Sequence, residues 1–344
     1  MPPLLESLIE PFVALFGPSH RVHLPYLACS VGFVTLAWLF ARRRAACASL
    51  GRWLFPRKLF FHASSRFDVA WCVMRGLVHS VLVWPLRIGA LGVSMAIAGF
   101  AVEHAGRSVL DAPVDRTWLF VAFTVALFVA DDLTRYMAHR AMHAIPALWE
   151  IHKVHHSAEV LTPLTLYRVH PIESALNQAR GMLTTGLITG VFVWLYPGTL
   201  RAIEILGVDA IGFLWTMAGA SLRHSHAFVT WPGPIERVFV SPAQHQVHHA
   251  KFAKVASNYG SALAIWDLAF GTLRIATHEK PPRIGLVRSE RNHERTVVSG
   301  LVDPVRAALS RLVGRDLTRL RPPPLDPPRR APRTTPERST GSHP

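Results

Sequence analysis

Long apolar stretches constrain the fold of this chain more than any other feature of its sequence. Apolar runs of about 18 residues or more are candidates for membrane-spanning helices. Five candidate stretches occupy 25–41, 77–102, 118–131, 182–196 and 202–222. Half of all residues (50%) are hydrophobic and only 17% are charged, which excludes an ordinary soluble globule, a disulfide scaffold and a disordered protein. We therefore predict an all-α, multi-pass membrane protein with four to five spans.

The basic residues predict how these spans are oriented. The stretch 41–58 carries five arginines, one lysine and no acidic residue, whereas 103–117 holds three acidic residues against two arginines. Short loops rich in Lys and Arg stay in the cytoplasm, so alternating spans bring both histidine-rich regions of the chain to the cytoplasmic side. Arg87 is costly inside a membrane, so the sequence leaves open whether 69–102 forms one span or two.

Composition divides the chain into five parts. They are an N-terminal interfacial segment (1–24), a transmembrane region (25–128), a catalytic domain (129–273), a C-terminal extension with an amphipathic helix (274–320) and a Pro/Arg-rich tail (321–344). The tail has eight prolines and five arginines, so we expect it to be disordered. The apolar residues of 301–313 have helical spacing, and this helix is expected to pack on the main domain or on the membrane surface.

Histidines at helical spacing are the chemical signature of the sequence. There are 19 of them, and three groups stand out: an HxxxH at His139 and His143, and two HxxHH boxes. The boxes are His152, His155 and His156, and His245, His248 and His249. Positions i, i+3 and i+4 share one helix face, so each group is predicted to present its imidazoles to a single point. Chance does not readily place three such groups in one chain.

The number of histidines indicates two metal ions. The groups supply eight imidazoles, or nine with His224 or His226, which is more than one ion accepts. Neutral imidazole suits iron, zinc, copper and nickel. Two irons fit this high coordination best, and a membrane hydrolase with two zincs is the alternative. The other histidines, such as His62 and His104, are interpreted as ordinary core or surface residues.

Five carboxylates near the boxes are candidates to accept the remaining ring N–H groups. They are Asp131, Asp132, Glu150, Glu173 and Asp267. Capping or interfacial roles are the alternative for each of them.

Between about residues 129 and 273 the sequence resembles the fatty acid hydroxylase superfamily, also called the sterol desaturase family. The resemblance rests on the boxes together with Arg168-Val-His170-Pro-Ile-Glu173, Arg223-His224-Ser-His226, Asn258-Tyr-Gly260 and Trp266-Asp267. It implies a membrane-embedded helical enzyme with a non-haem di-iron centre. The ligands it implies are His139, His143, His152, His155, His156, His245, His248 and His249. Because His224 and His226 point about 200° apart on a helix, we expect His224 alone to be the ninth ligand.

Five further positions are candidates beside these nine. His226, His170, Asp132, Glu173 and Asp267 are candidates for additional or supporting roles at the metals. The stretch 250–257 carries no acid or histidine, where many bacterial relatives have one, and this leaves the substrate class more open than the metal site.

The resemblance implies O2-dependent hydroxylation or desaturation of a C–H bond in a membrane lipid, such as a fatty acyl chain, a sterol or a related alkyl lipid. The sequence has no dinucleotide, flavin, haem or ferredoxin-like motif, so electrons must come from a separate ferredoxin, cytochrome or reductase. We expect the enzyme in a bacterial inner membrane, with its active site facing the cytoplasm. A nucleic-acid binder would explain the net charge of +15 but not the histidine boxes, and six of the positive charges already lie in 41–58.

Overall fold

The architecture is taken from a computed structural model of the protein. It describes residues 28–32, 35–36, 39, 49–82, 84–106, 115–197, 211, 214–215, 220–251, 257–276, 281–287 and 296–314. Within these residues the chain is helical and forms no β-strand, only isolated bridges between Phe239 and Leu263 and between Ala250 and Ile284. The predicted all-α class is confirmed for this part of the chain.

Eleven α-helices and two short 3-10 helices are placed within the described residues. The α-helices are α1 (Leu50–Leu54), α2 (Arg57–Phe60), α3 (Ala63–Leu82), α4 (Trp84–Ala105), α5 (Arg116–Ala144), α6 (Pro146–His156), α7 (Pro171–Leu195), α8 (Gly233–Glu236), α9 (Pro242–His248), α10 (Ile265–Ala269) and α11 (Val297–Val313). The 3-10 helices are η1 (Pro163–Tyr167) and η2 (Ala220–His224).

Helix α5 is the one helix of the described residues that is long and apolar enough to cross a membrane. It begins where the Asp115 side chain accepts a hydrogen bond from the Thr117 backbone amide at 2.7 Å. It ends at Ala144, because the next residue, Ile145, is extended before Pro146. Its 29 residues extend over about 43 Å at 1.5 Å per residue, against about 30 Å for the hydrocarbon core. The last turns, which carry His139 and His143, therefore lie beyond the hydrocarbon if the apolar part spans the bilayer.

The apolar stretch 77–102 is divided between two helices. Helix α3 ends at Leu82 and α4 begins at Trp84, next to Pro85, which is tolerated in the first turn of a helix but not in its interior. Residues Gly89–Ala105 of α4 form an apolar helix shorter than a span. The predicted four to five spans and their orientation therefore stay predictions.

Helix α7 begins earlier than the apolar pattern indicated. The apolar stretches 182–196 and 202–222 predict the two arms of a helical hairpin, but the first helix already starts at Pro171, because its first turns are polar and escape a search for apolar runs. The end of the second predicted arm is also different, since residues Ala220–His224 form the 3-10 helix η2. The rest of that arm lies mostly outside the described residues, as do 1–24, most of 25–41 and the tail 321–344.

Helices α4 and α7 pack closely through glycine. An added Cβ at Gly186 would lie 2.5 Å from Val93 Cβ, and one at Gly190 would lie 2.8 Å from the Ser94 carbonyl oxygen and 2.7 Å from Ile97 Cβ. The two glycines are four residues apart on α7, the spacing that allows helix backbones to approach in membranes. Helix α7 also packs on α5, and α6 packs on both α5 and α11, so the long helices support the layer that holds the histidines.

Candidate metal centre

Nine histidines from four parts of the fold converge into two buried groups. The five-histidine group contains His139, His143, His152, His156 and His248. The four-histidine group contains His155, His224, His245 and His249. In each group the nitrogen atoms available for coordination lie within 4.8 Å of one another. The structure thus brings together all nine residues that the sequence nominated as ligands, including His224.

Each HxxHH box divides its histidines between the two groups. On α6, His152 and His156 belong to the five-histidine group and His155 to the four-histidine group; on α9, His245 and His249 belong to the four-histidine group and His248 to the other. Residues i and i+4 are about 40° apart around a helix, whereas i+3 lies about 60° to the other side of i. The prediction that each box serves a single point was therefore wrong.

Local sequence fixes where both ligand-bearing helices begin. Pro146 occupies the first turn of α6, where its missing N–H costs nothing. At α9 the Ser241 hydroxyl accepts from the Gln244 amide at 3.1 Å, and the Gln244 side chain accepts from the Ser241 amide at 2.8 Å. The Ser241 hydroxyl also donates to buried Glu236 at 2.6 Å. These bonds fix the helical phase of the boxes and thus the directions of their imidazoles.

The inward nitrogens of the five-histidine group lack partners. The Nε2 atoms of His143, His152, His156 and His248 are buried and make no hydrogen bond. Buried polar atoms without a partner are costly, and four such atoms facing one another are explained if a cation is bound among them. The donor set, all imidazole, suits iron or zinc.

Ring nitrogens also meet one another in the four-histidine group. The Nε2 atom of His224 lies 3.2 Å from Nε2 of His155 and 3.1 Å from Nε2 of His245. His245 Nε2 lies 3.1 Å from His249 Nε2. Such close approach of basic nitrogens fits a shared metal ion, so the residues of both groups fit the two ions that the sequence predicted.

Burial favours the neutral form of five of these imidazoles. It lowers the pKa of His248 to about 3. Burial is also the main reason why the pKa values of His155, His156, His245 and His249 lie well below the ordinary value, and neighbouring histidines lower them further. Because metals bind neutral imidazole, these five histidines need to lose no proton before they coordinate an ion at neutral pH.

Backbone carbonyls orient three of the imidazoles from behind. His139 Nδ1 donates to the Tyr259 carbonyl at 2.9 Å, His248 Nδ1 to the Ser257 carbonyl at 2.7 Å and His155 Nδ1 to the Arg168 carbonyl at 3.2 Å. Such bonds fix the ring orientation and direct Nε2 towards the metal.

Glu173 is the carboxylate that touches a predicted ligand within the described residues. His152 Nδ1 donates to Glu173 Oε1 at 3.0 Å, and Glu173 Oε2 is buried without a hydrogen-bond partner. Glu173 lies in the first turn of α7, so this helix positions a charge directly behind the five-histidine group. The contact is of the kind proposed from the sequence for the acidic candidates.

Asp132 and Asp267 act one step further from the imidazoles. Asp132 accepts from the backbone amides of residues 262 and 263 at 2.8 and 2.9 Å and from Trp266 Nε1 at 3.0 Å. Asp267 accepts from the amides of Tyr259 and Gly260 at 2.8 and 2.7 Å. The two carboxylates fix the backbone segment whose carbonyls hold His139 and His248. Their predicted direct contact with ligand N–H groups is wrong, because both point at this segment.

The segment needs an unusual backbone at Asn258, which has a left-handed φ of 58°. Its side chain secures this conformation by donating to the Gln244 and Arg274 carbonyls at 3.1 and 2.9 Å and by accepting from the Arg274 amide at 2.7 Å. Asparagine tolerates this region better than most residues, which explains its place before Tyr259 and Gly260.

The remaining candidates lie away from the two groups. Asp131 pairs with Arg135 and Arg180 at 2.6 and 2.7 Å, and Glu150 pairs with Lys153 and Arg311. His226 Nε2 donates to the Trp53 carbonyl at 2.8 Å. His170 caps α7 through Ile172 N at 3.2 Å and donates to the Leu301 carbonyl at 3.0 Å. Their geometry is that of capping and packing residues.

Arg168 is a supporting residue to which the sequence reasoning gave no role. Its side chain is 1% exposed and donates to Asp68 Oδ1 at 2.6 Å, to Ser157 Oγ at 3.0 Å and to the Ser64 carbonyl at 2.7 Å. These bonds hold the backbone whose carbonyl accepts from His155. In the sequence, this supporting role is indicated by the position of Arg168 at the start of the block that also contains His170 and Glu173.

The comparisons with known proteins agree with this geometry. The model of the fatty acid hydroxylase family matches residues 124–272. An alkylglycerol monooxygenase from Caenorhabditis elegans is 28% identical over 58% of this chain and 35% of its own length. The ornithine lipid hydroxylase OlsE from Rhizobium tropici is 33% identical over 47% of this chain and 44% of its own length.

A Delta(7)-sterol 5(6)-desaturase from Gibberella zeae is 30% identical over 53% of this chain and 52% of its own length. The chain thus spans between about a third and a half of the length of these curated relatives. No solved structure matches it significantly.

Proposed function

We propose that the chain, whose residues 124–272 match the fatty acid hydroxylase family, is an O2-dependent di-iron oxidoreductase that hydroxylates or desaturates a C–H bond of a membrane lipid. The observation that carries this proposal is the pair of all-histidine groups: four unpartnered Nε2 atoms converge in the five-histidine group, and the Nε2 atoms of the four-histidine group approach one another to 3.1–3.2 Å. His139, His143, His152, His156 and His248 would hold one ion, and His155, His224, His245 and His249 the other.

Two irons at these positions would supply the activation of O2 that an unactivated C–H bond requires. In hydroxylation, one oxygen atom enters the lipid and the other leaves as water, with two electrons and two protons from outside. In desaturation, the lipid loses two hydrogens and O2 is reduced to two waters with the same two external electrons. The protein orients the imidazoles through backbone carbonyls and Glu173, and its buried site limits access of water.

A lipid substrate is supported by the printed names of the relatives and by the position of the histidines. The relatives are named for alkylglycerols, an ornithine lipid and sterols. His139 and His143 lie at the end of the apolar helix α5, so a lipid chain could reach the site from the adjoining bilayer. We infer that the substrate carries a long alkyl chain or a sterol skeleton in a membrane.

The di-zinc hydrolase that the sequence left open is not favoured. The relatives are monooxygenases, hydroxylases and desaturases, which are oxidoreductases. An oxidase that consumes two external electrons also needs a donor. We propose a separate ferredoxin, cytochrome or reductase on the cytoplasmic side of the membrane, where an acidic donor would complement the basic chain.

Metal analysis of the purified chain tests the site. Close to two irons per chain supports the proposal, whereas two zincs or no metal contradicts it. The variant His248→Ala is expected to lose iron and activity, because it removes one ligand from the five-histidine group. The matched control is His226→Ala, since His226 donates to the Trp53 carbonyl instead and should leave the iron content unchanged.

Lipid analysis under 18O2 tests the reaction itself. Cells with and without the gene are compared for lipids that gain one 18O atom, which indicates hydroxylation, or lose two hydrogens without gaining oxygen, which indicates desaturation. A lipid profile that does not depend on the gene, despite iron-loaded protein, would overturn the proposed activity.

A further inference from the structure

The C-terminal helix α11 packs on the catalytic domain with its smallest residues. The buried positions of α11 are Gly300, Pro304, Ala307, Ala308 and Ser310. Ala308 packs with Ala147 and Ile151 of α6, and the Leu301 carbonyl accepts from His170 at 3.0 Å. Arg311 pairs with Glu150 of α6 at 3.2 Å. The inner face of the helix is therefore satisfied by small side chains, a hydrogen bond and an ion pair.

The outer face of α11 carries five of its eight large apolar residues. They are Val298, Val302, Leu309, Leu312 and Val313, and all five are exposed. Exposure reaches 67% at Val298 and 71% at Leu312. At 100° per residue, these positions fall within an arc of about 100°, and the centre of that arc lies nearly opposite the buried positions.

This arrangement reverses the usual one. A helix on the surface of a soluble protein turns its large apolar residues to the core and its polar residues to water. A continuous apolar stripe that faces outward indicates an interaction surface. Since the inner face is already occupied, the stripe requires a second apolar environment.

We propose that the outer stripe of α11 lies in the interfacial region of the lipid bilayer, with its valines and leucines among the acyl chains. Basic residues next to the stripe fit an anionic bilayer surface: Arg306 lies at the edge of the stripe on α11, and residues 315–338, which follow the helix in sequence, contain seven arginines against three acidic residues. Amphipathic helices with this combination bind in the plane of such membranes. Basic residues next to the membrane add attraction to anionic headgroups.

The chain's own tail is a poor alternative occupant. Residues 321–344 contain eight prolines and one large aliphatic residue, Leu325, so they offer little apolar surface to cover five exposed side chains. A second copy of the chain would bury the stripe against another protein, but it would bring the arginines of both copies close together.

The stripe has a direct consequence for the metal centre. Helix α11 packs along α6, and α6 carries His152, His155 and His156. A bilayer contact at α11 thus places a ligand-bearing helix one helix diameter, about 10 Å, from the lipid surface. This inference goes beyond the proposed oxidation and does not depend on it.

Spin-label accessibility in bilayers tests the proposal. Single cysteines replace Val302 or Leu309, with Arg306→Cys as the control on the flank of the same helix, in the full chain with Cys29, Cys47 and Cys72 changed to serine. The chains are placed in phosphatidylcholine and phosphatidylglycerol bilayers. Labels at Val302 and Leu309 should collide several-fold more with O2 than with a water-soluble nickel chelate, and the label on the flank should show the opposite preference.

Two outcomes would overturn the proposal. Equal access of the nickel chelate to all three labels would place the stripe in water, and dipolar broadening between labels would place it against a second copy. The unmodified chain provides a check that needs no substitution: a phospholipid with a photoreactive acyl chain should label the peptide that contains residues 297–313. Absence of that label, with α5 labelled, would contradict the bilayer contact and leave the proposed oxidation standing.

Discussion

At the scale of single residues, Glu173 differs from the other groups that orient the imidazoles. Three of the histidines donate to neutral backbone carbonyls, whereas His152 donates to a buried carboxylate at 3.0 Å. A carboxylate behind a ligand histidine increases the basicity of the imidazole and fixes its orientation. With a metal bound in the five-histidine group, His152 would therefore be a stronger electron donor than its neighbours.

We predict that Glu173→Gln lowers iron affinity by about 10–100-fold, as loss of such supporting partners usually does. It should also raise the midpoint potential of the iron centre, because His152 becomes a weaker donor. Iron titration and redox titration measure the two effects. The matched control is Glu150→Gln, which removes a buried carboxylate from α6 that pairs with Lys153 and Arg311. An unchanged potential in Glu173→Gln would show that the contact is merely structural.

The sequence predicted the histidines of the site better than its acidic residues. Eight of the nine histidines were nominated because their helical spacing is visible in the chain itself, and His224 was nominated from the block Arg223-His224-Ser-His226. The acidic residues could not be distinguished in this way. Five of them lie near the boxes in sequence, but within the described residues just one, Glu173, contacts a predicted ligand. Glu173 meets His152 across 21 positions, and Asp132 meets residue 262 across 130. Contacts at such separations depend on how helices pack, which spacing does not reveal.

At the scale of helices, the fit between α4 and α7 depends on the absence of side chains at two positions. Gly190→Ala would place a Cβ 2.8 Å from a backbone carbonyl oxygen on α4, and overpacking of this kind costs about 1–3 kcal/mol. We expect a lower unfolding temperature and weaker iron retention. Gly181→Ala on the same helix meets nothing within 4 Å and should be neutral or slightly stabilising, because alanine favours helices.

Thermal unfolding in detergent micelles compares the two variants directly. If Gly181→Ala were as destabilising as Gly190→Ala, the cost could not be assigned to the contact between α7 and α4. The sequence predicted helices in both regions from apolar runs. It did not predict where these helices begin and end. The polar first turns of α7 lie outside the apolar run, and the break before Pro85 does not change the mean hydropathy of the stretch around it.

At the scale of the whole molecule, the buried histidines make the metal-free chain sensitive to acid. Burial lowers the pKa of His248 from an ordinary value of 6.5 to about 3. The unfolded chain therefore binds protons that the folded chain excludes, and the free energy of unfolding falls as pH drops. The loss begins below about pH 6.5 and continues towards the folded pKa.

We predict that the chelated chain unfolds at progressively lower temperature as pH is lowered from 7 to 4, with little change between pH 7 and 8. Thermal unfolding followed by circular dichroism measures this. His248→Asn should reduce the slope below pH 6.5, because asparagine binds no proton. A stability that increases towards pH 4 would contradict the assignment of neutral, buried imidazoles.

Each HxxHH box contributes histidines to both groups, so the two groups are linked through the backbone of the same helix. On α6 and again on α9, a single helical turn contributes to both groups, so their separation is fixed by peptide geometry rather than by the loops between helices. Tilting or unwinding either helix would disturb both groups at once. Occupancy of one group should therefore order the other, and the chain is expected to exchange its metals as a pair, with few half-filled molecules at equilibrium.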